Sequence, residues 1–210
     1  MGSRPDMREY LMQTASEIMI AKDSSEVSLS EIAEKANHSP ALVQYHFGNK
    51  QGLLHAILER DGRRALAQLH ELMDLDLPAV EKLRIHISGL VSAYQRAPYL
   101  NRLIHYMIQS EDQEVSGKVF TVFIEPLAKF YEVILAEGVA SGQFRDIPPM
   151  HLFFIVTGAS DQLFYRSNTL RVFGISEVTE EVKKDYVRSV TGIILGGLLV
   201  DPGAAARIQL

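Results

Sequence analysis

The stretch Ser28–Leu54, SLSEIAEKANHSPALVQYHFGNKQGLL, decides how this chain is read. Ser28 stands at the start of an apolar-periodic segment, and Glu31 follows at the spacing of a capping box, in which each side chain satisfies a free backbone donor at a helix start. Leu29, Ile32, Ala33 and Ala36 then form one apolar face. Asn37 stands where this helix must stop, and Asn reaches the left-handed conformation of a helix end more readily than other residues with a Cβ. Ser39 is a second N-cap, and Pro40 occupies the first helical position, where a missing N–H does no harm. Gly48 and Asn49 end this second helix. The spacing therefore predicts two short helices, near 28–36 and 40–46, joined by a turn of a few residues, which is the layout of a helix-turn-helix. Val43, Leu42 and Phe47 are its core residues by their apolar character.

Working outward, Leu11, Ala15, Ile18 and Met19 recur at helical spacing and predict a helix near 7–21 before the motif. Lys50 opens a long helix after it, with Leu53, Leu54, Ile57 and Leu58 as its apolar stripe. Beyond about residue 75 the predicted helices lengthen, and proline- or glycine-bearing breaks separate segments near 79–96, 99–110, 117–140, 149–167 and 180–200. Neither a strand nor an internal repeat is evident. The fold expected is all-α: a three-helix DNA-binding domain over 1–48 and a larger helical domain over 49–210.

Composition is that of a globular protein, with 47% apolar and 22% charged residues. The absence of cysteine rules out disulfides and thiolate chemistry. Met1–Asp6 lacks the pattern of a secretory leader, and Ile193–Val200 falls far short of the roughly 20 apolar residues of a membrane span. A cytoplasmic protein with no membrane partner is expected. The net charge of -5 argues against nucleic acid only if charge is averaged over the whole chain. Between Glu34 and Glu59 there is no acidic residue, while Lys35, His38, His46, Lys50 and His55 all fall in that window. Such a segment can approach phosphates without repulsion.

The same stretch resembles the DNA-binding signature of the TetR family of transcriptional regulators. The matching residues are Ser28, Ile32-Ala33, Ala36, Tyr45, Phe47, Lys50 and Leu53-Leu54. Two positions depart from the family pattern: Asn37 stands where glycine is usual, and Gln44 where the family often has a tyrosine that touches phosphate. Gln also hydrogen-bonds adenine in the major groove. The resemblance implies a ligand-responsive repressor that binds a palindromic operator in double-stranded DNA as a homodimer and is released by a small hydrophobic or aromatic effector. It places DNA contacts on Ser28, Ser39, Pro40, Ala41, Gln44, Tyr45, His46 and Lys50. It further implies an effector cavity in the C-terminal bundle, for which His86, Tyr94, His105, Phe123 and Asp161 are the candidates. A four-helix dimer interface is implied from the last two long helices, with Phe153, Phe154, Gly158, Phe164, Ile194, Gly197 and Leu198 as its candidates.

Two other classes compete. As an enzyme, the chain lacks a P-loop, an H-E-x-x-H pair and a dinucleotide-binding glycine pattern, and Gly158-Ala159-Ser160-Asp161 lacks the second glycine of a nucleophile elbow. His86, His105 and His151 are far apart in sequence and read as isolated polar residues. Glu111, Asp112 and Glu114 read as a solvated loop. No catalytic residue, metal or cofactor is expected. A protein-binding adaptor with a vestigial helix-turn-helix is the third class, and a gel shift on genomic fragments separates it from a regulator.

Overall fold

The computed structural model describes residues 6–109, 113–165 and 167–201, side chains of 113–115, 165, 167 and 168 excepted. Among these residues the α-helices are α1 (Met7–Lys22), α2 (Leu29–Ala36), α3 (Pro40–Phe47), α4 (Lys50–Asp74), α5 (Ala79–Arg96), α6 (Tyr99–Ile108), α7 (Gln113–Val119), α8 (Glu125–Ala140), α9 (Pro149–Tyr165) and α10 (Glu180–Leu198). The chain is all-α, as its periodicity requires. Among the described residues the only strand-like pairing is an isolated antiparallel bridge between Phe144 and Leu199.

The helix ends form where local chemistry puts them. Ser28 Oγ accepts the Glu31 N–H at 3.1 Å, and Ser39 Oγ accepts the Leu42 N–H at 3.3 Å. Asn37 adopts φ 56°, and the His38 N–H reaches back to the Ala33 carbonyl at 2.9 Å, so the left-handed residue satisfies carbonyls that the helix end would leave bare. Asn49 caps α4: its Oδ1 accepts the Gly52 N–H at 2.9 Å. Gly52 is required for a different reason, since a Cβ there would run into the backbone carbonyl of Phe47.

One predicted helix is divided. The segment expected as one helix over 117–140 begins at Gln113 and passes through a π-helical turn, Phe120–Ile124, before α8. Pro126 lies in the first turn of α8 and has no N–H to continue the hydrogen-bond ladder, so the register resets just before it. A 3-10 segment, Ser167–Phe173, occupies part of the break expected before α10. Glu111 and Asp112, expected in a solvated loop, lie outside the described residues.

The chain forms two compact units. The first comprises the described residues of 1–64 and 97–122, the second those of 65–96 and 123–210. This division differs from the expected boundary at 48/49. The start of α4 belongs with the helix-turn-helix, where Leu53, Leu54, Ile57 and Leu58 are buried, and α6 belongs there as well, with Leu103 and Met107 fully buried. A polar cluster ties α6 to α1 and α4. The Tyr99 hydroxyl donates to Asp61 Oδ2 at 2.8 Å and lies 3.0 Å from Ser16 Oγ, whose own proton goes to the Met12 carbonyl. Arg60 donates to Asp61 at 2.9 Å and to Ser16 at 2.8 Å. Arg102 of α6 pairs with Asp23 at 2.8 Å, and Gln51 donates to the Tyr106 hydroxyl at 3.0 Å.

The second unit buries an extended core, beside a smaller cluster of Val91, Leu163 and Phe164. The extended core draws Leu83 and Ile87 from α5, Phe130, Tyr131, Ile134 and Leu135 from α8, Leu152 and Val156 from α9, and Ile194, Leu195 and Leu198 from α10. Gly138 lets the Phe144 ring lie directly on α8, where a Cβ would collide with it. Lys82 is buried beside this core and is compensated, donating to the Met73 carbonyl at 3.1 Å and pairing with Glu137 at 3.2 Å.

Candidate DNA-binding surface and C-terminal site

Helix α3 turns Val43 and Phe47 inward. That rotation leaves Pro40, Ala41, Gln44 and Tyr45 in one outward stripe. Tyr45 is 83% exposed, although large aromatic side chains usually find cover. Its ring stands edge-on to His46 at 5.3 Å. Ser28, Ser39 and Lys50 are also exposed, and His46 is half-buried. The eight residues expected to face DNA are therefore at least partly accessible. Ser28 and Ser39 hold helix N-termini, and among the described residues Lys50 makes no ion pair and the Gln44 amide no hydrogen bond.

The acid-free window is less basic than its composition suggests. Lys35 pairs with Glu17 of α1 at 3.1 Å, and His55 is half-buried with its Nε2 enclosed. A compensating cation comes from elsewhere: Arg8 of α1 stacks 5.3 Å from the centre of the Phe47 ring, at the end of α3. Sequence reasoning missed Arg8, because no local pattern relates it to residue 47. Glu31 is held below the ordinary carboxylate range by its contact with Lys22, so this negative charge is already partnered.

In the second unit the effector candidates divide. His86 of α5 is buried, and its Nε2 shares a hydrogen bond of 2.9 Å with the Tyr131 hydroxyl. The Phe130 ring lies 4.4 Å from the imidazole, and the Phe153 ring lies 5.8 Å from Tyr131. Burial pushes the imidazole down to about 4, so His86 is neutral at physiological pH. Burial, and then the charge of Asp161, push the Tyr94 phenol above its ordinary range. Tyr131 is raised by burial and then by Tyr94. His86 and Tyr131 are thus hydrogen-bonded within an apolar core, and Tyr94 is coupled electrostatically to both Tyr131 and Asp161, which makes a polar set of the four. Tyr131, which sequence gives no reason to rank above its neighbours, is the member that joins it. Phe123 is half-buried in the π-helical turn at the edge of the same unit.

His105 corrects the expectation. It is exposed, and it lies on α6 in the first unit, whereas the other four candidates belong to the second. Its mid-helix position suggested the bundle interior, but α6 buries Leu100, Leu103 and Met107, and that face excludes residue 105.

The interface candidates need a similar correction. Phe164, Ile194 and Leu198 are buried within the chain, and Phe153 packs against its core. Those four point inward because they share the helical phase of Leu152, Val156 and Leu195. Phe154, Gly158 and Gly197 point outward. Their neighbours on the same faces are Met150 and Ile155 of α9 and Ile193 of α10; Phe154 is 64% and Ile193 76% exposed. Among the described residues no helix is long and apolar enough to cross a membrane.

Comparison with known proteins agrees with this architecture at both ends. Residues 11–57 match the family model of bacterial regulatory proteins of the tetR family, and residues 76–204 match that of the tetracyclin repressor-like C-terminal domain. Nucleoid occlusion factor SlmA of Vibrio vulnificus is 18% identical over 124 residues, 58% of this chain and 63% of its own length. The match therefore spans less than two thirds of that curated relative. Among solved structures, a transcriptional regulator of the TetR/AcrR family from Thermobifida fusca is similar with a TM-score of 0.69 at 19% identity, over 91% of this chain and 98% of its own. AibR in complex with isovaleryl coenzyme A and operator DNA gives 0.73 at 16% identity, over 90% and 97%. The ketosteroid transcriptional regulator KstR2 of Mycobacterium tuberculosis gives 0.68 at 15% identity, over 95% and 98%.

Proposed function

This chain belongs to the tetR family of bacterial regulatory proteins, and from that premise we propose that it is a repressor which holds a palindromic operator as a homodimer and releases it when a small apolar or aromatic effector binds the C-terminal unit. The observation that carries this reading is the outward stripe of α3, free of carboxylates and flanked by the exposed Lys50. A recognition helix of a helix-turn-helix enters the major groove, while residues around it grip phosphate. In this reading Pro40, Ala41 and Gln44 face bases. Ser28, Ser39, Tyr45, His46 and Lys50 face the backbone. DNA reading is assigned to residues 1–48, and effector binding and dimerisation to the region 49–210.

One helix-turn-helix touches few bases, and two-fold symmetry doubles the contacts on a palindrome. The outward faces of α9 and α10 suit that role, with Phe154, Ile155 and Ile193 as apolar anchors and Gly158 and Gly197 allowing close approach. The effector is assigned to His86, Tyr131, Tyr94 and Asp161, and with them Phe123. An apolar cage with a few polar anchors takes a largely apolar ligand. Solved structures similar to this one include AibR in complex with isovaleryl coenzyme A and operator DNA and the ketosteroid transcriptional regulator KstR2; the isovaleryl chain and the ketosteroid are apolar groups. Release needs only a coupling of about 1–3 kcal/mol between effector and operator.

Fluorescence anisotropy on DNA fragments from around the gene tests the reading. Lys50→Ala is expected to weaken binding to all sequences and to lower the salt slope by about one. Tyr45→Ala is expected to weaken operator binding strongly. If both variants bind like wild type, α3 and the start of α4 do not face DNA. An effector found by thermal shift must also lower operator affinity; one that raises the melting temperature and leaves the operator bound contradicts release.

A further inference from the structure

The chemistry of α3 restricts which bases it can read. From Ser39 to Phe47 there is no arginine, lysine, aspartate or glutamate. In the major groove guanine shows two acceptors, O6 and N7, which call for the paired donors of Arg or Lys, and cytosine shows an amino donor, which calls for a carboxylate. Helix α3 carries neither partner. Adenine shows an acceptor, N7, beside a donor, the N6 amino group, and an amide with one donor and one acceptor matches that pair. Gln44 is the one outward amide on α3, exposed and without a hydrogen bond among the described residues. Thymine shows a C5 methyl group, which favours apolar contact. Ala41 and Pro40 present such carbon one turn before Gln44. Ser39 Oγ accepts the Leu42 N–H and keeps its own proton, but a single hydroxyl pairs with either kind of base edge and so selects none, and the ring of His46 is half-buried beside Tyr45.

Spacing links the two contacts. Residues three apart rise about 4.5 Å along a helix, against about 3.4 Å between stacked base pairs. Ala41 and Gln44 therefore address neighbouring pairs. We propose that each operator half-site contains two adjacent A·T pairs read by α3, an adenine paired with Gln44 and a thymine methyl against Ala41 and Pro40. No G·C pair is specified by this helix. The proposal rests on the reading of α3 as the groove-entering helix, and Gln44 is the residue that sets specificity within it.

Selection of the full-length protein against a randomised duplex library, followed by anisotropy at fixed salt on single-pair variants of the selected site, tests it. Two adjacent A·T pairs are expected in each half-site, with replacement of either by G·C lowering affinity roughly 5- to 150-fold. Gln44→Ala is expected to erase the preference at one of these pairs. Gln44→Lys, supplying donors for O6 and N7, is expected to move that preference to guanine. Position 44 is solvent-exposed, so neither variant disturbs the core. An enriched site with G·C at the pair that responds to Gln44 overturns the proposal while leaving DNA binding intact. So does a selected sequence unchanged by Gln44→Ala. Failure of any sequence to enrich overturns both the proposal and the reading beneath it.

Discussion

Single residues in this protein show how far a local environment moves a chemical property. His86 is nearly enclosed, with Phe130 on its ring and the Tyr131 hydroxyl at Nε2. An unfolded chain takes up the imidazole proton near pH 6.5, whereas the folded chain takes it up only at about 4. Between those values the unfolded state binds more protons, so acid favours unfolding. Stability is expected to fall by about 3 kcal/mol as pH drops through that window, with no contribution from this group above it. Denaturant titrations of wild type and His86→Phe between pH 7 and pH 4 check this. The variant loses Tyr131's partner and so starts less stable, but the slope is the readout. Equal slopes in both proteins would place the proton uptake on another group. Gly52 makes the complementary point, since its lack of a Cβ keeps the start of α4 clear of the Phe47 carbonyl, a contact that the letters N-K-Q-G-L do not announce.

At the level of elements, α6 is where polar bonding, rather than apolar period alone, fastens a helix. Arg60 and Asp61 of α4 have side chains only 9% and 11% exposed, and Tyr99 closes the cluster from α6. Burial, reinforced by the Asp61 charge, pushes the Tyr99 phenol up to about 12, so its hydroxyl remains a donor across the physiological range. Removing one member of a buried pair leaves the other charge uncompensated. Asp61→Ala is expected to cost about 3–5 kcal/mol, because the only carboxylate then left to Arg60 among the described residues is Glu9 at 3.7 Å, beside the neutral hydroxyls of Ser16 and Tyr99. Tyr99→Phe removes one donor and is expected to cost about 1–3 kcal/mol. Thermal unfolding of the two variants ranks these losses, and an Asp61→Ala protein as stable as wild type would show that solvent replaces the cluster. The π-helical turn before Pro126 is the other event at this scale. A missing N–H in the first turn of α8 displaces the hydrogen-bond register, and Phe123 lies in the displaced turn.

For the whole molecule, the proposed dimer turns on the outward faces of α9 and α10. Phe154, Ile155 and Ile193 are large apolar side chains in solvent, on helices whose opposite faces enter the core. Exposed apolar surface of that extent is a feature of interaction sites. Phe154→Glu combined with Ile193→Glu is expected to give a folded monomer with helicity unchanged by circular dichroism, because neither side chain belongs to the core of its own chain. Sedimentation at micromolar concentration reads the mass. A wild-type monomer, or a double variant that still dimerises, would remove these faces from the interface. The same comparison with Phe164→Glu is uninformative about assembly, since that residue is buried within the chain and its loss breaks the fold first.

Helix existence and helix ends were legible in the sequence because they depend on groups a few residues apart. Ser28, Asn37, Ser39 and Pro40 each act within one turn, satisfying or omitting a backbone donor or acceptor, and the observed ends of α2 and α3 follow them. The outward positions of Gln44 and Tyr45 were legible for the same reason: a short helix with an inward Val43 and Phe47 has one remaining side. Elsewhere an apolar period announces that a helix has a face, but not which partner covers it. Tertiary packing decided that α6 joins the first unit and takes His105 with it, while His86 belongs to the second. It also chose which apolar positions of α9 and α10 enter the core and which remain outside, and it brought Arg8 onto Phe47. Capping is paid within one turn of chain, whereas burial depends on residues far away in sequence, so a single helix carries the information for the first and not for the second.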